Sequence, residues 1–340
     1  MKSFKLAVYV LILILSCSIQ SFADSNSLNL PELSWSSDYH FESDSLTPGE
    51  VSGFIDGLRV DLNGKAANLY FLNRSYYSLD LKNNLQLGYF DFQEYYFSGE
   101  QGLIDFLSAV SGENLSEDSY RLKGEIDSIN LQGYYIGRNF NISEKLLVDF
   151  RLKYINSGHL EKSKYDGRAR ISEQFIYQSG YRQVIVSRDK NYQPKGISLD
   201  IAGNAILAND LSIRFSAENL YSYIIFEDLY FRKMFDRTGN FYNDDTAIRI
   251  TPIYQVDFDY RSILFGFSYI NRYEPYFGYS FKFGQGTGIP VEIVLSLHRS
   301  KYGVKISPNW NRGDIKFDIK FDNFNFKKAK NISLNFNISF

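Results

Sequence analysis

From Ile315 to Phe321 apolar and charged residues alternate without a slip. After a polar turn, Ile332, Leu334, Phe336, Ile338 and Phe340 alternate with Ser333, Asn335, Asn337 and Ser339. A period of two marks a β-strand, because successive side chains leave opposite faces of the pleat. The same pattern runs back through the chain. Leu146, Val148, Phe150, Leu152 and Tyr154 oppose Lys145, Asp149, Arg151 and Lys153, and Leu211, Ile213, Phe215 and Ala217 oppose Ser212, Arg214, Ser216 and Glu218. Further strands are predicted around Leu85–Phe97, Ile197–Leu207, Ile248–Phe258, Ile263–Tyr269, Phe277–Phe283, Val291–Leu297 and Tyr302–Ile306. Asn63-Gly64, between Val51–Leu62 and Lys65–Leu81, has the composition of a type I′ hairpin turn. The count is about sixteen strands, with fourteen to eighteen compatible.

Four stretches depart from plain alternation. Leu103, Ile104, Phe106, Leu107 and Val110 have helical spacing, which predicts one short amphipathic helix within 99–119, folded into the lumen, capping its mouth or lying in a surface loop. In Tyr120–Arg138 the apolar parity changes from Leu122 and Ile126 to Ile129, Leu131 and Tyr135, which predicts a β-bulge near Ser128. His159–Gly167 reads as a charged loop, followed by two strands turning about Ser179-Gly180. Phe226–Asp245 reads as a loop rich in aromatics and acids. Its Asp244 and Asp245, with Asn240 and Asn243, offer calcium-type oxygens, but their spacing is that of no known calcium loop, so a solvated acidic loop with no metal is expected.

The first 23 residues read as a secretory leader: Lys2 and Lys5, the apolar run Leu6–Leu15, then Ser21-Phe22-Ala23 as the cleavage site. Cys17 offers an alternative lipidation site behind Ile14-Leu15-Ser16. The run of about ten residues is shorter than the ~20 a spanning helix needs, and no later stretch approaches that length. An exported chain without a spanning helix is either soluble or a barrel, the other backbone solution a bilayer tolerates. Residues 24–50 are polar and acidic and read as a periplasmic segment or a lumen plug, although Leu33, Trp35, Tyr39 and Phe41 alternate as a strand would. The barrel proper is expected over 51–340.

Composition sharpens this picture. Tyr 27 and Phe 29 against Trp 2 make the chain 17% aromatic, yet mean hydropathy is only -0.28. Aromatics diluted by alternating Asn, Ser, Asp and Lys suit strands with one lipid face and one wet face. Net charge is -2, and -4 without the leader's two lysines, so there is no basic field for nucleic acid. Cleavage after Ala23 removes the one cysteine, which excludes disulfides and thiol catalysis.

A leader followed by alternating strands and a Phe-terminated amphipathic last strand resembles the outer-membrane β-barrel proteins of diderm bacteria. The resemblance implies an all-β, antiparallel up-and-down transmembrane barrel, integral to the outer membrane and bounded by its lipid. It implies that Phe336, Ile338 and Phe340 present the signal read by the barrel-assembly machinery, although Asn335 stands where that signal usually has Gly. If the last strand descends to the periplasm, turns near Asn83, Asn141, Asn209, Asp259, Gly286 and Asn309 fall on the periplasmic side. The long insertions after Phe97, Asn156, Ser187, Ile225 and Asn323 then fall outside, as such barrels arrange them. Lys145, Asp149, Arg151, Lys153, Arg214, Glu218, Lys316, Asp318 and Lys320 are expected to line the lumen, because a Lys or Arg facing lipid at the midplane costs ~2–4 kcal/mol.

The function expected is a porin-like channel or transporter for small or amphipathic solutes, without cofactor and not an enzyme. Two alternatives stand beside it. Asn271-Arg272-Tyr273-Glu274-Pro275, His298-Arg299-Ser300 and Trp310-Asn311-Arg312 resemble the outer-membrane phospholipase A pattern, which implies Ser300 as nucleophile, His298 as base and Asn311 as its orienting partner. Lys301-Tyr302 depart from the Asn-Gly that usually follows that serine, and His298 shares parity with Glu292 and Ser296. The second alternative is a surface scaffold or adhesin acting through its outer loops.

Overall fold

A computed structural model gives the fold. It describes residues 32–339 apart from 45, 48–66, 82–83, 112–117, 173–174, 188–192, 209, 236–237, 271–272, 284–290, 299–300, 311–312 and 324–327. The elements are β1 (Glu32–Ser43), β2 (Ala67–Leu81), β3 (Leu85–Gly99), α1 (Gln101–Ser111), β4 (Asp118–Ser143), β5 (Leu146–Ser172), β6 (Phe175–Ser187), β7 (Lys195–Ala208) and β8 (Leu211–Phe235). They continue with β9 (Thr238–Ile248), β10 (Ile253–Tyr260), β11 (Ile263–Tyr269), β12 (Tyr273–Phe283), β13 (Val291–His298), β14 (Lys301–Trp310), β15 (Gly313–Phe321) and β16 (Asn331–Ser339). Pairing is antiparallel throughout.

Fourteen strands form a closed ring in the order β10-β11-β12-β13-β14-β15-β16-β1-β2-β3-β4-β5-β7-β8. The pairing of β8 with β10, from Ile253↔Glu218 to Tyr260↔Leu211, closes it. β6 and β9 lie outside the ring. β5 pairs with β7 over Leu146–Ile155 and with β6 over Glu161–Ser172. β8 likewise pairs with β10 over Leu211–Glu218 and with β9 over Ile224–Phe235. Thus β6 prolongs the position of β7, and β9 that of β10. Each interruption ends in a proline, Pro194 before β7 and Pro252 before β10, and proline has no N–H to give a ladder. Ser222 bridges the second break, accepting from the Ile250 N–H at 2.8 Å and lying 3.4 Å from its carbonyl.

Several expectations are corrected. Part of the presumed lead-in or plug is β1, a ring strand paired with β16 from Ser34↔Ser339 to Glu42↔Asn331 and with β2 on its other side. Without it both neighbours would be unpaired edges. Residues 159–167 are continuous strand within β5, and 226–245 belong largely to the β8–β9 hairpin rather than a loop. Gly180 sits inside β6 opposite Gly167, at φ +95°, while the β5–β6 turn falls at 173–174. The expected strand Val51–Leu62 with its Asn63-Gly64 turn, the leader and Cys17 lie outside the described residues.

Both ends of the described chain lie at one end of the ring, since Ser34 pairs with Ser339. The short connections 82–84, 144–145, 209–210, 261–262, 284–290 and 311–312 share that end. The long connections 44–66, 100–117 and 322–330, and the β5–β6 and β8–β9 hairpins, share the other. The brief connections 270–272 and 299–300 also lie at that second end, so the long excursions, though not every connection there, stand opposite the chain's ends, as outer-membrane barrels place them.

Register assigns the two faces. Asp38, Arg74 and Phe92 align on one face, as do Ser36, Tyr76 and Phe90. That face is the lumen, because Arg74 and Tyr76 reach Glu218 of β8 across the ring. α1 packs on the opposite face, burying Leu103, Ile104 and Phe106 against Leu69, Phe97, Tyr120, Leu122 and Ile171. A helix that enters the lumen is therefore not what this stretch builds. A Cβ on Gly124 would lie 2.5 Å from Leu103 Cδ2, so glycine there admits the close approach of α1. The parity change in β4 has the same origin. Ile126 and Leu122 face α1, while Ile129, Leu131 and Tyr135 face the lumen. No bulge occurs at Ser128; the irregularity falls between Gln132 and Gly133, where Asn156 of β5 is the extra residue.

Candidate functional site

The register places Asp149, Arg151, Lys153, Arg214, Glu218, Lys316, Asp318 and Lys320 on the inward face. Lys145 is different: it is exposed in the turn at 144–145, at the end of the ladder, where its carbonyl still accepts from the Ile206 N–H at 2.8 Å. The remaining residues fall into two groups. One joins a cross-lumen network, and the other lines a more open wall.

Tyr76 is the centre of the network. Its hydroxyl donates to Glu218 Oε2 at 3.1 Å and accepts from Lys153 Nζ at 2.9 Å. Lys153 is 2% exposed, a burial that a lysine tolerates only when paired. It lies 2.8 Å from Asp200 Oδ2 and 3.3 Å from Asn219 Oδ1. Arg74 is ion-paired with Asp38 and lies 2.6 Å from Glu218 Oε2. Arg151 pairs with Asp149 at 3.3 Å and sits over the rings of Tyr76 and Tyr135, at 5.5 and 5.8 Å. The rings of Tyr76 and Phe90 flank the Lys153 ammonium at 5.1 and 5.5 Å.

Alternation marked Asp149, Arg151, Lys153 and Glu218 but gave no sign of Tyr76, Arg74, Asp200 or Asn219 as their partners. Asn219 has a sequence signal of sorts, since asparagine tolerates positive φ better than most residues. It adopts φ 53° where three residues of β8, Glu218 to Leu220, face the single residue Asp200 of β7. That irregularity turns Asn219 inward, where it accepts from Ser198 at 3.0 Å and its N–H donates to Asp200 at 2.9 Å.

On the loop side of this network lies an apolar layer. Leu72, Phe90, Phe92, Leu131, Ile155 and Leu160 from one wall meet Ile224, Phe226, Leu229, Ile250 and Ile253 from the other. Beyond it a cavity of about 340 Å³ opens, lined by Tyr70, Glu94, Tyr96, Asp127, Ile129, Leu160 and Lys162 of β2–β5 and by Ile248 to Thr251 at the Pro252 interruption. The barrel is thus pinched between β2–β5 and β8. The wall opposite stays wet: inward-facing Lys282, Lys316, Asn335 and Asn337 are exposed, and Arg214 is 44% exposed. Asp318 and Lys320, 3.8 Å apart, are about a quarter exposed.

The outward face carries the opposite chemistry. Tyr134, Leu152, Tyr154, Tyr223, Phe265, Phe277, Tyr279, Leu295 and Leu297 are all exposed there. An apolar girdle around a polar interior, on a closed ring of even strand number, is the architecture of an outer-membrane-type β-barrel. Phe336 packs on Phe317 at 4.9 Å and Ile338 is buried, while Phe340 lies outside the described residues.

Among the other sequence candidates, His298 ends β13, in register with Tyr276 and Lys301. Ser300 and Asn311 lie outside the described residues, and β14, which separates them, runs ten residues, about 33 Å of rise. Asp245 accepts from the Asp228 N–H at 3.0 Å, and Asp244 accepts from the Asp245 N–H at 2.9 Å, so both acids support the β8–β9 hairpin backbone.

No protein-family model and no curated protein matches the chain. Solved structures do align with it. The translocator domain of autotransporter NalP from Neisseria meningitidis is 7% identical, with TM-score 0.37, over 100% of this chain and 97% of that one. A TodX mutant, a monoaromatic hydrocarbon channel, is 8% identical, with TM-score 0.47, over 92% and 90%. The Ralstonia pickettii toluene transporter TbuX is 8% identical, with TM-score 0.34, over 92% and 89%.

Proposed function

We propose that this chain is an integral outer-membrane barrel that passes small or amphipathic solutes through a restricted lumen rather than an open pore. One observation carries the reading: the inward face is divided. One wall is packed shut by the Tyr76–Lys153–Glu218 network and its apolar layer, while the wall of β12–β16 keeps exposed amides and amines. Side chains fill barrels of about eight strands and leave aqueous channels in those of about sixteen. A ring of fourteen with one wall filled falls between these limits. The girdle of exposed aromatic and aliphatic residues supports a lipid environment, since a patch of that extent is uncommon on a soluble monomer.

Reconstitution in planar bilayers tests the reading. The expected record is small conductance steps from the parent and larger ones from Tyr76→Ala, whose truncation removes the centre of the network. A sealed membrane with both proteins would sink it. The chain is read as a conduit without a catalytic step. Its last strand, through Phe336, Ile338 and Phe340, is read as the contact for barrel assembly, and truncation before Ile338 should leave the chain unassembled in the periplasm.

A further inference from the structure

The cavity at the loop end combines features that the conduit reading does not use. Four charged residues line it: Glu94, Asp127, Lys162 and Arg249. Lys162 and Asp127 neutralise one another at 3.0 Å. Glu94 accepts from the Tyr70 hydroxyl at 3.0 Å on Oε1 and feels the Lys162 ammonium at longer range. No hydrogen-bond or ion-pair partner of Arg249 occurs among the described residues. Among the described residues Glu94 and Arg249 therefore have no contact ion pair of their own, in a space that Ser128 and Thr251 line together with Ile129, Leu160, Ile248, Ile250 and the rings of Tyr70 and Tyr96. Arg249 is exposed at the rim of the cavity, next to Ile250, whose backbone Ser222 pins.

We propose that this cavity binds a zwitterionic solute with an apolar body, such as a free amino acid with a large aliphatic or aromatic side chain. Its ammonium would meet Glu94, its carboxylate Arg249, and its side chain the isoleucine and leucine wall. A lining with two charges of each sign has no net charge to favour a simple anion or cation, and a dipolar ligand satisfies both unpaired groups at once. Charge-assisted hydrogen bonds are the strong ones, and a guanidinium receives a carboxylate through two parallel bonds. The volume, about 340 Å³, lies at the small end of ligand sites, which suits a single amino acid better than a long chain. This inference rests on the conduit reading for its biological sense, but the binding itself is tested apart from transport.

Calorimetric titration of the full chain, folded in detergent, supplies the test, with L-phenylalanine, 3-phenylpropionate and 2-phenylethylamine as probes. Phenylalanine should bind at least tenfold more tightly than either single-charge analogue. Arg249→Gln should weaken phenylalanine and phenylpropionate tenfold or more and leave phenylethylamine unchanged, and Glu94→Gln should do the reverse for the two analogues. Arg249→Lys, which keeps the charge, should recover part of the affinity, and heat-modifiable migration on gels confirms that each variant is folded. Equal binding of all three probes, no binding of phenylalanine at millimolar concentration, or indifference to both substitutions would overturn the proposal. Conductance with no binding removes this site and leaves the conduit standing; binding with a sealed bilayer does the converse.

Discussion

Lys153 shows what a single residue decides in this lumen. Its ammonium is fully enclosed and depends on Asp200, Tyr76 and Asn219. Breaking a buried pair leaves the other charge without compensation, which costs about 3–5 kcal/mol. Lys153→Met should therefore lower unfolding stability in urea by about that amount. Adding Asp200→Leu should recover much of the loss, because no lone charge then remains. Tyr76→Phe keeps the ring over Lys153 and Arg151 but deletes the hydroxyl that joins Lys153 to Glu218; about 1–3 kcal/mol is expected in the same measurement. Alternation in the sequence showed that Lys153 faces inward, since no lysine faces lipid cheaply. It did not show that the residue is buried, because burial depends on a partner 77 positions away.

At the scale of elements, sequence left the places of β1 and α1 open for opposite reasons. β1 has short apolar alternation at Leu33, Trp35, Tyr39 and Phe41, interrupted by Ser37, and reads as well as a tail as a strand. Its place is fixed only by the unpaired edges of β16 and β2 that it joins. Deleting 32–43 should abolish the heat-modifiable, protease-resistant barrel, whereas removing a plug would leave that band intact. α1 was legible as a helix from the spacing of Leu103, Ile104 and Phe106, but its seat was not. The outer face of β2–β5 becomes its seat because Phe97, Leu122 and Ile171 present apolar side chains there. Gly124→Val should crowd both Leu103 of α1 and the Ser98 carbonyl of β3, so limited proteolysis should cut near 101–111 and the folded barrel should lose stability in urea.

At the scale of the molecule, the two faces of the ring should respond to charge in opposite ways. Phe265 is exposed on the outward face of β11, mid-strand. Phe265→Arg should cost about 2–4 kcal/mol of stability in lipid bilayers, the cost of arginine at a bilayer midplane. Lys316→Gln, on the inward wet wall, should change stability little and shift the reversal potential in a salt gradient toward cations. If both substitutions were equally harmless, the girdle would not be in contact with lipid.

What the sequence determined by itself was the local geometry: strand period, the inward face of Asp149, Arg151, Lys153, Arg214, Glu218, Lys316, Asp318 and Lys320, and the helix at 101–111. Each follows from side-chain alternation or spacing within a few residues. Only the tertiary structure decided the closure of fourteen positions rather than sixteen, the two proline-ended interruptions, the outer seat of α1 and the pinch that joins Tyr76 to Glu218. Those depend on which segments meet across the ring, and alternation along one strand says which way a side chain points but not what it will find there.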